Sequence, residues 1–487
     1  MGDNLKQKTV NALKWSTIDR FGQQAVQMII GVILARLLSP SDYGLLGLIM
    51  IFSGLSFVLV ESGFGQSLIR KKDANETDYN SVFYFNIFVS IFLYIILFFS
   101  IPYISNYFKQ PQLVSIGRVI FLAILFNAFY LVPFAMMVKE MNFKSVAKVN
   151  FFATILSGLI GVTLAFLKYG VWSLVAQQVA FNFLRMIAYQ HFVKWKPKAL
   201  FSMKVILEFG SYSVHVLGTS VLNVIFNNLY VLILGKYYEK NDVGYYTQAN
   251  KLSETFNFSF QQILLGSTFS MFSQIQEDTE RLRRIFREIT KKTALITIPV
   301  MLVFIAIAEP FISVLLSEKW ILSVTYFQLL CLASVTTPFF ALNISILNAR
   351  GLSKTTFKLE LFKKGLILLS VLICFNYGII AMLWGYAASN FVAYLISVVY
   401  VKKDIKHYIK NQLTDLLPGV ILSLLTAIPA LFLSFILKNN FVLLFTQILL
   451  VLLIYILSIR KIQPQLYDKA YSIIVENINK FAKKNQL

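Results

Sequence analysis

The run YGLLGLIMIFSGLSFVLV, residues 43–60, contains no charged side chain and no proline. A transmembrane helix needs about 20 mostly apolar residues, and an uncharged apolar run of this length is typical of one. Similar runs recur along the chain. They lie near residues 10–37, 42–66, 79–101, 112–138, 145–168, 171–193, 205–235, 243–273, 289–316, 321–348, 357–377, 379–401, 414–437 and 440–459. The sequence therefore predicts an all-α polytopic membrane protein with about 14 transmembrane helices.

The composition agrees with this prediction. Of 487 residues, 57% are hydrophobic and 14% are charged, whereas an average soluble domain is about 25% charged. These values exclude a disordered chain and a disulfide scaffold, and they disfavour a soluble enzyme of several domains. The net charge of +22 does not indicate nucleic-acid binding, because the basic residues form short clusters between the apolar runs. We expect no nucleic-acid partner.

The basic clusters also predict an orientation. Lysine and arginine concentrate in every second loop and in the C-terminal tail, for example at residues 70–72, 194–204, 281–292 and 402–410. Cytoplasmic loops carry such an excess, so both termini are expected in the cytoplasm. The charged segment 274–292 and the tail 461–487 fit amphipathic helices on the membrane surface, although solvated helices would show the same pattern.

An internal repeat divides the chain. VILARLLSPSDYGLL, from Val32, matches LILGKYYEKNDVGYY, from Leu232, so that Gly44 aligns with Gly244. Two further matches follow at nearly the same offset and in the same order. The repeat unit is six spans, which predicts an N-terminal lobe (1–197, spans 1–6), a C-terminal lobe (198–410, spans 7–12), two additional spans (411–460) and the tail. Parallel repeats of this kind occur in transporters, with the substrate site between the halves. The aspartates that precede these glycines fit helix caps, and the glycines fit tight turns.

Polar side chains within the spans are the candidate functional residues. An ionisable side chain costs about 2.5–3.5 kcal/mol to insert into a membrane, so its presence there indicates a function or a partner. Such residues crowd spans 1, 7 and 8, whereas spans 3, 9, 13 and 14 are nearly pure apolar and are expected to face lipid. The candidates for a shared substrate cavity are Asp19, Arg20, Gln23, Gln27, Glu61, Arg118, Arg185, His215, Asn227, Lys251, Glu254 and Asn257.

Each candidate also has a purely structural interpretation. Asp19 and Arg20 can pair with other helix charges, and Lys251 and Glu254, three residues apart, can form a salt bridge with each other. His215 can be an ordinary interior histidine. The intramembrane cations nevertheless suit an anionic or pyrophosphate-bearing substrate, because the planar guanidinium of arginine binds two oxygens at once.

The sequence shows no pattern of a known catalytic site. It has no phosphate-binding GxxxxGK[ST] loop, no GxSxG and no HExxH, and Cys331 and Cys374 form no metal pattern with the histidines. We therefore expect neither a cofactor nor an enzyme, although a membrane-embedded glycan ligase or polymerase is an alternative. Coupling of transport to H⁺ or Na⁺ would require a titrating carboxylate, for which Asp19, Glu61 and Glu254 are candidates.

Three stretches resemble a known family. GLLGLIMIFSGLSFVLVESGFGQSLIRKKD (residues 44–73), NNLYVLILGKYYEKNDVGYYTQANKL (residues 227–252) and LNARGLSKTTFKLEL (residues 347–361) are similar to bacterial polysaccharide transporters, the Wzx-type flippases. The resemblance implies the fold of the multidrug/oligosaccharidyl-lipid/polysaccharide exporter superfamily, with two six-helix lobes around a central cavity lined by spans 1, 2, 7 and 8.

The resemblance also implies an activity. A Wzx-type flippase moves undecaprenyl-pyrophosphate-linked oligosaccharide repeat units across the bacterial cytoplasmic membrane by alternating access. Its partners would be the lipid-linked oligosaccharide, membrane lipids, the polysaccharide polymerase and glycosyltransferases. A multidrug or cation antiporter and a lipid II flippase of the same superfamily are the alternatives.

Overall fold

The computed structural model describes the backbone of residues 2–61 and 63–464, and of positions 468 and 472. Side chains at 2–6, 8–10, 13, 211–212, 215–216 and 258–267 lie outside the described part, as does most of the predicted tail. The described residues form helices and no strand. The α-helices are α1 (Gly2–Leu37), α2 (Pro40–Glu61), α3 (Phe64–Arg70), α4 (Glu76–Phe108), α5 (Leu113–Ile120), α6 (Leu122–Lys139), α7 (Phe143–Phe166), α8 (Val171–Val193), α9 (Met203–Asn227), α10 (Leu229–Tyr237), α11 (Lys240–Gln274), α12 (Thr279–Ala306), α13 (Ala308–Leu316), α14 (Ser323–Ser334), α15 (Thr337–Ala349), α16 (Ser353–Cys374), α17 (Ile379–Ile405), α18 (Ile409–Ile436) and α19 (Asn440–Ile462).

The predicted spans coincide with these helices. Each of the fourteen segments corresponds to one helix or to two consecutive helices. Within the described residues, nine helical stretches are long and apolar enough to cross a membrane, and α9 with α10, bent by 42° at Asn228, would make a tenth. Helices α1, α8, α11 and α16 are not among them, because they carry more polar and charged side chains. The all-α membrane fold is confirmed, and the number of fourteen spans stays a prediction.

The chain divides into two compact units, Met1–Gln248 and Ala249–Leu487. In the first unit α7 packs between α1 and α8, and α6 packs against α4 and α8. Its apolar core includes Phe64, Phe83 and Phe209. This unit contains α9, α10 and the first residues of α11, which the sequence analysis assigns to the C-terminal lobe. The predicted lobe boundary at residue 197 stays a prediction.

In the second unit α12 packs along α18, and α16 packs along α17. The charged segment 274–292 leads into α12 and forms its first turns, with Asp278 as the N-cap that accepts a hydrogen bond from the Arg281 amide at 2.9 Å. Half of the apolar window of α12 and 33% of that of α18 are buried, so the predicted lipid-facing role of spans 9 and 13 stays a prediction. Helices α4 and α19 fit this role, because only 11% of the apolar window of each is buried.

The two glycines that the repeat aligns meet at one helix crossing in the first unit. A Cβ atom on Gly44 would overlap the carbonyl oxygen of Lys240, and one on Gly244 would overlap that of Pro40. Pro40 and Lys240 are also equivalent positions of the repeat. Each glycine therefore meets the carbonyl at the equivalent position of the other helix, and the crossing of α2 and α11 is symmetric. The glycines are thus required by the close approach of two backbones, and the tight turns predicted from the sequence do not account for them.

Candidate functional site

Asp19 anchors a polar cluster among the helices of the first unit. Its carboxylate accepts hydrogen bonds from Gln23 Nε2 at 2.6 Å, one helical turn along α1, and from Asn150 Nδ2 of α7 at 3.1 and 3.3 Å. The Tyr189 hydroxyl of α8 donates to Asn150 Oδ1 at 3.2 Å. Three helices are therefore joined through one half-buried carboxylate.

Arg185 of α8 belongs to the same network, because it lies over the ring of the tyrosine that donates to Asn150, without an ion pair to Asp19. Its guanidinium donates to the Tyr130 hydroxyl at 2.9 Å and lies over the rings of Tyr130 and Tyr189, 4.4 and 5.6 Å from their centroids. The charge of Arg185 acts electrostatically on both Asp19 and Glu61. Its Nε atom is buried and has no hydrogen-bond partner in the part of the chain that the structure describes. We call Asp19, Gln23, Asn150, Arg185, Tyr130 and Tyr189 the Asp19–Arg185 cluster.

The Tyr130 hydroxyl is the branching point of the network. It accepts from Arg185 Nη1 and from Asn127 Nδ2, the latter at 2.6 Å, and it donates to Asn182 Oδ1 at 3.4 Å. Fixed hydroxyl and amide groups around a guanidinium restrict its orientation, which suits recognition of a ligand of defined geometry.

Four other candidates of the first unit are exposed beside or beyond the cluster. Arg20 follows Asp19 on α1, Gln27 lies two turns further along, Glu61 ends α2, and Asn227 ends α9. Their side chains are thus accessible to a ligand.

Arg118 lies apart from the Asp19–Arg185 cluster. It belongs to the last turn of the short helix α5, and its guanidinium stacks on Phe98 of α4, 4.3 Å from the ring centroid. No described hydrogen bond or ion pair links it to Asp19 or Arg185, so the structure separates two cations that the sequence analysis groups together. The side chain of His215 lies outside the described residues.

The candidates of the second unit share one helix. Lys251 and Glu254 of α11 are both exposed, and Asn257 is half-buried. Asn250 Nδ2 donates to Glu254 Oε1 at 3.0 Å, and no Lys251–Glu254 ion pair forms within 4 Å. The alternative in which these two side chains neutralise each other is therefore wrong.

A buried carboxylate in the second unit was not predicted from the sequence. Asp415, at the start of α18, is fully buried and accepts from Arg287 of α12 at 3.0–3.3 Å, with His407 Nε2 at 3.3 Å and Lys291 at 3.5 Å. A lone acidic residue in an otherwise apolar span was the available signal. Among the described residues, no group of three or more His, Cys, Asp or Glu side chains is placed to hold a metal ion.

A family model described as "Polysaccharide biosynthesis protein" matches residues 33–325 of the chain. The match covers more than half of the chain, and the chain therefore belongs to this family. The resemblance stated from the three sequence stretches is confirmed.

Two curated relatives match over most of their length. The teichuronic acid biosynthesis protein TuaB of Bacillus subtilis is 22% identical over 81% of this chain and 82% of its own. The lipopolysaccharide biosynthesis protein WzxC of Escherichia coli is 24% identical over 90% of both chains.

Solved structures confirm the fold. The lipid II flippase MurJ in an inward closed conformation aligns with a TM-score of 0.75 and 18% identity, over 93% of this chain and 99% of MurJ. An inward-facing multidrug transporter of the MATE family aligns with a TM-score of 0.61 and 17% identity, over 81% and 98% of the respective chains. The chain thus has a membrane-transporter fold.

Proposed function

We propose that this chain is a flippase that moves undecaprenyl-pyrophosphate-linked oligosaccharide repeat units across the bacterial cytoplasmic membrane for surface polysaccharide synthesis. The observation that carries the proposal is family membership over residues 33–325, together with relatives named for polysaccharide biosynthesis. The multi-pass helical fold suits a transporter rather than an enzyme. The proposal includes cytoplasmic termini and contact with the polymerase and glycosyltransferases.

The Asp19–Arg185 cluster supports the proposal chemically. A guanidinium whose Nε is without a partner can donate to an anionic oxygen, and pyrophosphate offers several. The carboxylate of Asp19 keeps this cation compensated among apolar helices when no substrate is bound. The amide side chains of Gln23, Gln27 and Asn227 suit sugar hydroxyls.

Transport needs an energy source, and we propose coupling to H⁺ or Na⁺ through a carboxylate. Asp19 is the leading candidate because it already joins α1, α7 and α8, so a change in its charge would alter three helices at once. Glu61 and Glu254 are the other candidates, and no further cofactor is proposed.

A deletion strain tests the proposal. We expect loss of surface polymer together with accumulation of the lipid-linked repeat unit on the inner leaflet, and restoration by the wild-type gene. Arg185→Gln should restore export at least about tenfold less well, since it removes a charge-assisted hydrogen bond to the substrate. Arg36→Gln, an exposed arginine at the end of α1, is the matched control.

Three other results would contradict the proposal. Normal polymer with increased drug sensitivity would instead indicate a multidrug exporter. Rescue of a strain lacking its lipid II flippase, with normal polymer in the deletion strain, would indicate lipid II as the substrate. Accumulation of an unligated or unpolymerised glycan on the outer leaflet would indicate an enzyme.

A further inference from the structure

A groove in the second unit contains a lysine that is not among the candidate site residues predicted from the sequence. Lys363 lies on α16, which begins at Ser353, and is therefore about 15 Å along the helix rather than beside its start. The groove has a volume of about 400 Å³, within the usual range of small-molecule sites. Its lining residues are Phe269, Thr337, Phe340, Ala341, Ile344, Ser345, Asn348, Glu360 and Lys363, which we call the Lys363 groove.

The polar groups of the Lys363 groove are incompletely paired. The Ser345 side chain is only 5% exposed, and its hydroxyl has no hydrogen-bond partner among the described residues. A buried hydroxyl without a partner carries a free-energy cost that a ligand can relieve. It is an independent sign that the groove is built to hold something polar.

The Lys363 amine is also available. It lies over the Phe340 ring, 4.7 Å from the centroid, and no carboxylate of the described residues lies within 4 Å of it. Glu360, one turn earlier on α16, lines the same groove without forming an ion pair to it. Asn348 accepts from Thr356 Oγ1 at 2.8 Å through its oxygen, which leaves its amide nitrogen as a donor.

These groups indicate the class of ligand. A cation with a neighbouring hydroxyl donor binds phosphate oxygens, and a carboxylate accepts hydrogen bonds from sugar hydroxyls. A simple anionic phospholipid fits less well, because Glu360 would repel a headgroup that offers only negative charge. The wall of Phe269, Phe340 and Ile344 suits the apolar face of a sugar ring or a prenyl chain.

We propose that the Lys363 groove binds the sugar-phosphate part of a lipid-linked saccharide, with Lys363 and Ser345 on the phosphate and Glu360 and Asn348 on the sugar. The inference rests on the proposed function and adds a substrate contact outside the Asp19–Arg185 cluster. It gives Lys363 a role in substrate binding.

Binding of a defined probe to the purified full chain in nanodiscs tests the inference. The probe is farnesyl-pyrophosphoryl-N-acetylglucosamine, with farnesyl pyrophosphate and phosphatidic acid as comparison ligands. Lys363→Gln should raise the Kd for the probe at least about tenfold, as expected for a lost charge-assisted hydrogen bond. Lys363→Arg should restore most of the affinity. Lys358→Gln, an exposed lysine of the same helix outside the groove, should leave the Kd unchanged.

Glu360→Gln distinguishes the contact with the sugar from the contact with the phosphate. It should weaken binding of the sugar-bearing probe and leave farnesyl pyrophosphate binding unchanged or tighter, because only the sugar depends on the carboxylate. Ser345→Ala should weaken both ligands by about threefold, and it serves as the test if Lys363→Gln does not fold.

Several outcomes would overturn the inference. They are equal affinities for Lys363→Gln and Lys358→Gln, an equal effect of Glu360→Gln on both prenyl ligands, and competition by phosphatidic acid at the same concentration as the probe. If the wild-type chain binds the probe and restores export while the groove variants behave normally, only the groove assignment fails. If the wild-type chain neither binds the probe nor restores export, the proposed function itself fails.

Discussion

Tyr130 shows how one hydroxyl can control a charged group inside a membrane protein. It holds Arg185 by both a hydrogen bond and ring stacking, and it also engages Asn127 and Asn182. Removing it leaves three polar groups with one partner fewer. In an apolar environment each such loss costs about 1–3 kcal/mol.

Tyr130→Phe should therefore lower both the thermal stability and the export activity. We expect a Tm decrease of several degrees and at least a fivefold loss of export, since the ring remains and only the hydroxyl network is lost. Thermal unfolding in detergent and polymer quantification in the complemented deletion strain measure the two effects. Tyr103→Phe, at a tyrosine that is 77% exposed on α4, is the control. Equal behaviour of the two variants would show that the network does not hold Arg185.

Lys71 provides a residue-scale prediction of pH dependence outside the spans. The hydrogen bond from its amine to the buried carboxylate of Asp78, at 2.9 Å, raises the pKa of Lys71 above the usual 10.5, and Glu208 at 3.5 Å adds to the effect. The ion pair therefore stabilises the fold fully at pH values below the pKa that Lys71 has in the unfolded chain. This stabilisation is lost as the pH rises through the higher pKa that Lys71 has in the folded chain.

The Tm of the wild type should accordingly exceed that of Lys71→Met by a constant amount from pH 7 to about pH 9.5, and the difference should shrink at higher pH. Lys72→Met, at the exposed neighbouring lysine, should show no such dependence. A Lys71→Met difference that persists unchanged at alkaline pH would mean that packing, and not the ion pair, stabilises this loop.

Single residues were predictable where their chemistry is rare in a membrane span. Asp19 and Arg185 are conspicuous because ionisable groups are costly there, and the structure brings them together. Asn150, Tyr130 and Tyr189 were missed, because tyrosine is common in this chain and only the helix packing shows which faces meet. Lys363 was not predicted as a site residue, because only the packing of α16 against α15 shows that its side chain lines a groove.

At the scale of elements, the crossing of α2 and α11 depends on glycine at two equivalent positions. Gly44→Ala should lower the Tm by several degrees, because the added methyl would overlap the Lys240 carbonyl and must push two backbones apart, at about 1–3 kcal/mol. Gly244→Ala should behave alike, since the contact is symmetric. Gly218→Ala, in the interior of α9 with open space around its Cβ position, should be neutral or slightly stabilising. A comparable loss in all three variants would contradict the close-approach explanation.

Helix positions were predictable from apolar runs alone, but breaks within helices were not. The chain interrupts its helices at Phe121 and Asn228, where no proline or glycine marks the site. Pro310 marks the break at Ile307, whereas Pro102, Pro133 and Pro299 lie inside continuous helices. Tertiary packing overrides local propensity at these points. The repeat identified Gly44 and Gly244 correctly as equivalent, but sequence alone could not show that they touch.

At the scale of the whole molecule, the distribution of charge predicts a topology that can be tested across a single helix. Helix α4 has 33 residues and is among the most apolar stretches of the chain, so the residues that flank it must lie on opposite sides of a membrane. Lys72 precedes α4 within a basic cluster, and Lys109 follows it in a segment with few basic residues. The positive-inside rule then places Lys72 in the cytoplasm and Lys109 outside.

Labelling of single cysteines measures this arrangement. In a background where Cys331 and Cys374 are replaced by serine, Lys109→Cys should react with a membrane-impermeant maleimide in intact cells. Lys72→Cys should react only after the membrane is permeabilised. Export by both variants provides the control for correct folding.

If instead only Lys72→Cys reacts in intact cells, the predicted orientation is reversed. The exposed side chains of Arg70 and Lys72 would then lie outside the cell, and the proposed cytoplasmic termini would be wrong. Labelling of both positions in intact cells would mean that α4 does not span the membrane, because one crossing must separate its two ends.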